Sequence, residues 1–266
     1  MAPLELDRRV GMENQPSSDA GHRWYERSFG ADYLDVYRHR DLEEARGGAA
    51  LAVRACEPES GSTVLDLCCG AGRHVEALSE LGHDAVGLDL SWALLSAARS
   101  RTPLARIVRG DMRRLPFGDA SFDVVLSFFT SFGYFPTDGE NRAVLAEVNR
   151  ILRPGGRFLL DFLNREHVLA HGLRDTREVR EAWVVEQKRR WNRETDTIDK
   201  EITLRPRSRE REPRVYTESV KLYSPDRIAA FFEEHGFSIV STFGSLEGEP
   251  FVSSSSRLIM TGKKTP

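Results

Sequence analysis

From Thr63 to Leu163 short apolar runs alternate with longer amphipathic stretches, and few folds accept that rhythm. The spacing predicts strands at 63–67, 84–89, 105–109, 122–128 and 157–163, with helices at 73–81, 91–100 and 138–152. Strands separated by helices of this length need crossover connections, so they lie parallel in one sheet with helices on both faces. Val144, Leu145, Val148, Ile151 and Leu152 share one face of the third helix, and Pro154-Gly155-Gly156 stops it. Near the C-terminus, Ser224-Pro225-Asp226 opens a further helix that closes at Gly236, and strands near 238–242 and 256–261 follow. The expected fold is a doubly wound α/β domain on a mostly parallel seven-stranded sheet.

Two flanking regions read differently. Residues 1–18 are polar and are expected to be a disordered tail. Residues 19–60 are expected to form a helical element, because from His22 to Ala55 Trp24, Tyr25, Phe29, Tyr33, Leu34, Tyr37 and Leu42 recur at helical steps. Its two readings are a helix packed on the core and a lid whose tyrosines reach a ligand. Between the core (61–164) and the closing segment (223–266), residues 165–222 carry alternating, charge-rich runs such as Trp183–Trp191 and Thr197–Leu204. Half-buried antiparallel strands have that pattern, so a small β insertion is expected there as a substrate cap or a homodimer contact.

A formal net charge of -3 gives no overall attraction to nucleic acid or to an anionic membrane. Three cysteines, of which Cys68 and Cys69 are adjacent, suit neither a disulfide framework nor spaced metal ligands, so no metal is expected. The first residues lack an apolar signal core, and no later stretch is apolar enough to span a bilayer. A soluble cytoplasmic protein is the expectation.

The chemistry gathers at the strand ends. After the first strand the chain runs Asp66-Leu67-Cys68-Cys69-Gly70-Ala71-Gly72-Arg73-His74, a tight turn whose glycines let a ligand approach the backbone at a helix start. A dinucleotide turn would need a third small residue where Val75 stands, and Asp66 would repel a pyrophosphate while suiting a cationic group. Asp89 ends the second strand, where it can accept both hydroxyls of a ribose or cap the helix near Ser91. Asp111 follows the third strand, so three successive strands end in acids on the edge where open α/β sheets bind ligands.

The ordered series DLCCGAGRH, GLDLS, GDMRRLPF, FDVVLSFFTSFGYF and LRPGGRFLLDF resembles the motif set of Rossmann-like S-adenosylmethionine-dependent methyltransferases of the small-molecule type. The resemblance implies S-adenosylmethionine as cofactor, leaving as S-adenosylhomocysteine. It places Gly70 and Gly72 under the methionine part, Asp66 near its α-ammonium, Asp89 on the ribose, and Asp111 with Met112 at the adenine. Arg73, Leu90, Ser127, Tyr25 and Tyr33 join the implied cofactor set. Cys68 stands where many members have the first glycine of the turn, a change expected to alter packing more than binding.

The resemblance also makes 127–135 the wall between cofactor and acceptor. Positioning an acceptor in line with the methyl group and excluding water is the main catalytic demand. Where a base is needed, the candidates are Tyr134, Asp161 and His167, with Asn164 and His171 beside them. Arg189, Arg190, Arg205, Arg207, Arg209 and Arg211 can bind an anionic acceptor or form a solvated sheet face. The leading reading is methyl transfer to a small molecule. An RNA methyltransferase and a non-catalytic cofactor-binding module are the alternatives.

Overall fold

The computed structural model describes residues 23–37, 41–208 and 212–266. The expected tail and Arg209 and Arg211 lie outside the described residues. Helices α1 (Trp24–Ser28), α2 (Asp32–Val36) and α3 (Leu42–Cys56) lead into the alternating core. The core runs β1 (Thr63–Leu67), α4 (Arg73–Glu80), β2 (Asp84–Asp89), α5 (Trp92–Arg101), β3 (Arg106–Arg109), β4 (Phe122–Ser127), α6 (Asp138–Ile151) and β5 (Leu152–Leu163). A short helix α7 (Arg165–His167) passes into a π turn, Val168–Gly172, and then come β6 (Thr176–Val179), β7 (Trp183–Asn192), β8 (Thr197–Pro206) and β9 (Arg214–Lys221). Helix α8 (Pro225–Glu234) and strands β10 (Phe237–Phe243) and β11 (Arg257–Lys264) finish the chain.

The main sheet has seven strands in the order β3-β2-β1-β4-β5-β11-β10. Pairs from β3 to β5 are parallel, whereas β11 runs antiparallel to both β5 and β10. The doubly wound, mostly parallel sheet expected from the alternation is therefore present. Its strand order reverses between β1 and β4, the point at which open α/β sheets leave a crevice. On one face Leu65, Leu67 and Val125 pack with Val144, Leu145 and Val148 of α6 and with Phe231 and Phe232 of α8. On the other, Val64, Val124 and Leu126 pack with Leu51 of α3, Leu78 of α4 and Leu95 of α5. Each such side chain contributes roughly 1.5–3 kcal/mol by burial.

Two local expectations are refined. The helical element expected over 19–60 contains three helices among the described residues, because Gly30 is a poor helix residue and Asp41 restarts the chain as an N-cap, its carboxylate accepting the Glu44 N–H at 2.9 Å. The fifth strand begins at Leu152, not 157, since a bulge absorbs Pro154-Gly155-Gly156 between the pairs Phe122–Leu152 and Val124–Arg157.

The insertion is a separate antiparallel sheet, β6-β7-β8-β9. It is fastened to the N-terminal helices. Val36 of α2 is buried among Trp183, Val185, Ile202 and Leu204. Asp32 accepts from Arg214 at 2.6 Å and from Tyr216, Tyr37 donates to Glu218 at 2.8 Å, and Ser28 donates to the Thr217 carbonyl at 2.6 Å. Helices α1 and α2 and the insertion thus pack as one unit. The insertion's arginines pair largely within the sheet: Arg190 meets Asp175 at 2.7 Å and Arg205 meets Glu186 at 2.8 Å. That arrangement fits a solvated charged surface rather than a ready anion site.

Candidate active site

The glycine turn joining β1 to α4 is built from left-handed residues. Cys68, Gly70 and Gly72 have φ of 64°, 54° and 78°. The Cys69 N–H donates to the Leu88 carbonyl at 2.9 Å, prolonging the β1–β2 ladder, and the Gly72 N–H closes the turn on the Cys69 carbonyl at 3.0 Å. A β-carbon on Gly70 would approach only Leu94, at 4.0 Å, so the backbone there faces open space. One on Gly72 would meet the Ala98 β-carbon at 3.0 Å. Gly72 therefore permits α5 to pack against the start of α4, and it does not line the cavity. Cys68 carries a backbone cost of roughly 1–2 kcal/mol that glycine would not. The departure at this position thus strains the chain as well as changing its packing.

Asp89 braces the turn. One carboxylate oxygen accepts the Gly70 N–H at 2.9 Å and the other the Ser91 N–H at 2.8 Å. Burial pushes its carboxyl up, and the N–H groups of Ser91, Gly70 and Leu90 oppose that rise. Ser91 is the N-cap of α5, accepting the Leu94 N–H at 3.2 Å, so Asp89 stands two residues before the cap rather than in it. Asp66 is 1% exposed, and its Oδ2 has no hydrogen-bond partner among the described residues. Burial, helped by the charge of Asp89 and opposed by Arg73, lifts its carboxyl to about 7. A buried carboxylate with an unpartnered oxygen calls for a cation.

Asp111 is already engaged. Arg113 donates to it from the backbone at 2.9 Å and from Nη2 at 2.8 Å. Burial raises the Asp111 carboxyl, but these bonds outweigh it and hold the group below its ordinary value. Arg113 also reaches Glu140 at 2.8 Å and Tyr25 at 3.3 Å, and lies over the Phe135 ring. Neither its place in the motif nor its charge singles it out in the sequence.

A cavity of about 840 Å³ opens along these strand ends. Every cofactor position named from the sequence lines it except Gly72 and Ser127. Ser127 is buried at the end of β4. Tyr25 and Tyr33 line it from α1 and α2, together with Phe29 and Tyr37, and the Ser91 hydroxyl ties α5 to this roof by donating to the Phe29 carbonyl at 2.5 Å. Of the base candidates, Tyr134 lines the cavity, its ring stacked 5.6 Å from Phe29. Asp161 and His167 do not line it. Asp161 is fully buried in β5 and bonds the Phe129 N–H and Arg257. His167 packs on His171, with ring centres 4.9 Å apart, on the turn after β5. Asn164 caps that turn and donates to the Ser253 and Ser255 carbonyls. Of the candidate bases, Asp161 and His167 therefore stand away from the cavity, and Tyr134 stands on its wall.

A seven-stranded sheet of this order, with a glycine turn after β1 and acids closing β1 and β2, defines a Rossmann-like methyltransferase fold. Residues 64–156 match the family model described as a methyltransferase domain. Among curated relatives, the dTDP-3-amino-3,4,6-trideoxy-alpha-D-glucopyranose N,N-dimethyltransferase of Streptomyces venezuelae is 38% identical over 131 residues, 47% of this chain and 54% of that protein. The phthiotriol/phenolphthiotriol dimycocerosates methyltransferase of Mycobacterium tuberculosis is 45% identical over 102 residues, 37% of this chain and 36% of that one. The chain thus spans about half or less of the length of these relatives. In fold it is similar to a solved S-adenosylmethionine-dependent methyltransferase from Clostridium acetobutylicum, with a TM-score of 0.76 at 17% identity over 89% of this chain and 98% of that one. The chain thus shares its fold with Rossmann-like S-adenosylmethionine-dependent methyltransferases. No helix among the described residues is long and apolar enough to cross a membrane.

Proposed function

We propose that the protein transfers the methyl group of S-adenosylmethionine to a small-molecule acceptor. The observation that carries this reading is Asp66: a buried carboxylate, raised to about 7, with an unpartnered oxygen on the wall of a cavity that a nucleoside can enter. The α-ammonium of the cofactor is the cation that such a group suits. Asp89 keeps lone pairs for the ribose hydroxyls while its N–H contacts hold the turn, and Asp111 with Met112 offers an adenine edge, Asp111 shared with Arg113.

The bound cofactor supplies an activated methyl group with its own leaving group, so the chain's work is placement. Gly70 lets the backbone approach, the α1–α2 roof excludes water, and the aromatic lining with Tyr134 shapes the acceptor end. For an acceptor that must lose a proton, Tyr134 is the base candidate that stands on the cavity wall. The relatives named above include an amino-sugar methyltransferase and a phthiotriol methyltransferase, which supports a small-molecule acceptor. The paired arginines of the insertion give no reason to prefer RNA.

Thermal denaturation with S-adenosylhomocysteine tests the cofactor step. At a hundredfold excess over Kd a ligand stabilises the folded state by about 2.7 kcal/mol, enough to raise Tm by several degrees. An unchanged Tm at millimolar ligand refutes the reading. Release of S-adenosylhomocysteine across matched amine, hydroxyl and carbon acceptors then identifies the atom methylated.

A further inference from the structure

Just beyond β4, Phe129 and Thr130 both adopt left-handed backbone angles, φ 54° and 60°. Neither is glycine, and Thr130 is β-branched, so this corner does not hold itself. Asp161 holds it from the neighbouring strand. Its Oδ2 accepts the Phe129 N–H at 2.9 Å, and its backbone carbonyl accepts the Thr130 N–H at 3.0 Å. Arg257 of β11 donates to the same carboxylate oxygen at 2.7 Å, and its guanidinium lies 4.8 Å from the centre of the Phe129 ring. Arg73 lies 5.5 Å from that ring centre, and Glu44 links the two arginines at 3.8 Å and 3.6 Å.

The corner has a destination. It turns the chain from the sheet edge into the cavity, which Phe129 and Ser131 line. Ser131 donates to the Phe128 carbonyl at 2.9 Å, and its hydroxyl stands near enough to the Cys68 thiol of the glycine turn to oppose the rise that burial gives that thiol. The wall at 129–131 and the turn at 68–72 therefore meet through a segment whose backbone angles depend on a carboxylate outside the cavity.

We propose that Asp161, clamped by Arg257, is a positioning residue: it keeps Phe129 and Thr130 left-handed, so that Phe129 and Ser131 stand against the cofactor turn. The inference rests on the cofactor reading given above. It gives Asp161 a role with no proton transfer, and makes the last strand of the chain part of the site's support.

Titration calorimetry with S-adenosylhomocysteine tests it on the full chain. Without the clamp the corner is populated only part of the time, and apparent affinity falls by that fraction. Asp161→Ala should weaken binding about tenfold if the corner is held about a tenth of the time. Asp161→Asn, whose amide oxygen can still accept the Phe129 N–H, should stay close to wild type. Thr130→Gly alone should change little. Combined with Asp161→Ala it should recover most of the loss, because glycine takes the left-handed conformation unaided. A general loss of packing would not be repaired by removing a side chain at position 130. Wild-type affinity in Asp161→Ala, or no recovery in the double variant, overturns the proposal. If Asp161→Ala does not fold, Arg257→Gln carries the same prediction of a loss that Thr130→Gly recovers, and failure to recover overturns it equally. Wild-type protein that does not bind S-adenosylhomocysteine would instead refute the cofactor reading.

Discussion

Asp66 makes the binding of the cofactor a titration. Its carboxyl sits at about 7 in the folded chain against 3.8 for an unperturbed aspartate. A group raised on folding favours the folded state fully below its unfolded value, and that contribution is lost as pH climbs through the folded one. As pH rises from about 4 to about 7, ionisation of Asp66 therefore costs the ligand-free protein on the order of 4 kcal/mol, at about 1.36 kcal/mol for each tenfold change in proton affinity. Asp89 is raised as well and acts in the same sense, so the share belonging to Asp66 is the difference between wild type and Asp66→Asn.

Ligand binding reverses the sign. A ligand carrying an ammonium selects the ionised carboxylate, so its affinity is highest above pH 7 and falls toward one decade per pH unit below. From pH 7.5 to 5.5 the expected weakening is about 25-fold, provided that the occupied site stays ionised throughout. Calorimetry of S-adenosylhomocysteine across this window reads it directly. Asp66→Asn should give a much flatter profile, with affinity at pH 7.5 reduced toward the wild-type value at pH 5.5. 5′-Methylthioadenosine, which has no ammonium, should show a flat or inverted profile. A wild-type affinity that is constant from pH 5.5 to 7.5, or an Asp66→Asn variant that keeps the full slope, would refute the assignment.

Gly72→Ala forces a β-carbon to 3.0 Å from that of Ala98 at a φ of 78°, so it should lower the urea midpoint by the equivalent of about 1–3 kcal/mol. Folded protein should nevertheless bind S-adenosylhomocysteine normally. Cys68→Gly should relieve about 1 kcal/mol of backbone strain, measured as a raised Tm, less whatever its side-chain packing contributes. Val36→Asp puts a charge among Trp183, Val185, Ile202 and Leu204, and should release α2 from the insertion and weaken S-adenosylhomocysteine binding while far-ultraviolet dichroism of the core persists. Undiminished affinity would show that the roof is not needed for the cofactor. Arg190→Glu with Arg205→Glu should leave cofactor affinity unchanged, since neither arginine lines the cavity.

The parts of the fold legible in the sequence are those that repeat a period. Strands β1, β2 and β4 announce themselves as continuous apolar runs because both of their faces are buried, as at Val64 and Leu65, and helix α6 by the spacing of Val144, Leu145 and Val148 on its one buried face. Asp66, Asp89 and Asp111 are legible because strand ends and glycines mark where a parallel sheet opens. Backbone strain without glycine leaves no such mark. Cys68, Phe129 and Thr130 look like ordinary turn and strand residues, yet each needs support from elsewhere in the chain. At Phe129 and Thr130 that support comes from residues distant in sequence, Asp161 and Arg257, whose separation carries no periodic trace. Asp161 draws notice as an acid near a strand end, but a one-dimensional pattern gives position along a strand and not the direction in which a carboxylate finds its donors. Arg113 escapes notice for the same reason: its value lies in joining Asp111, Glu140 and Tyr25, which come from three separate segments. The acids of the cavity follow from local chemistry at the strand termini, whereas its aromatic wall is assembled from α1, α2 and the segment after β4. A sequence can show which groups are available there, but only the packed chain decides which of them reach the cavity.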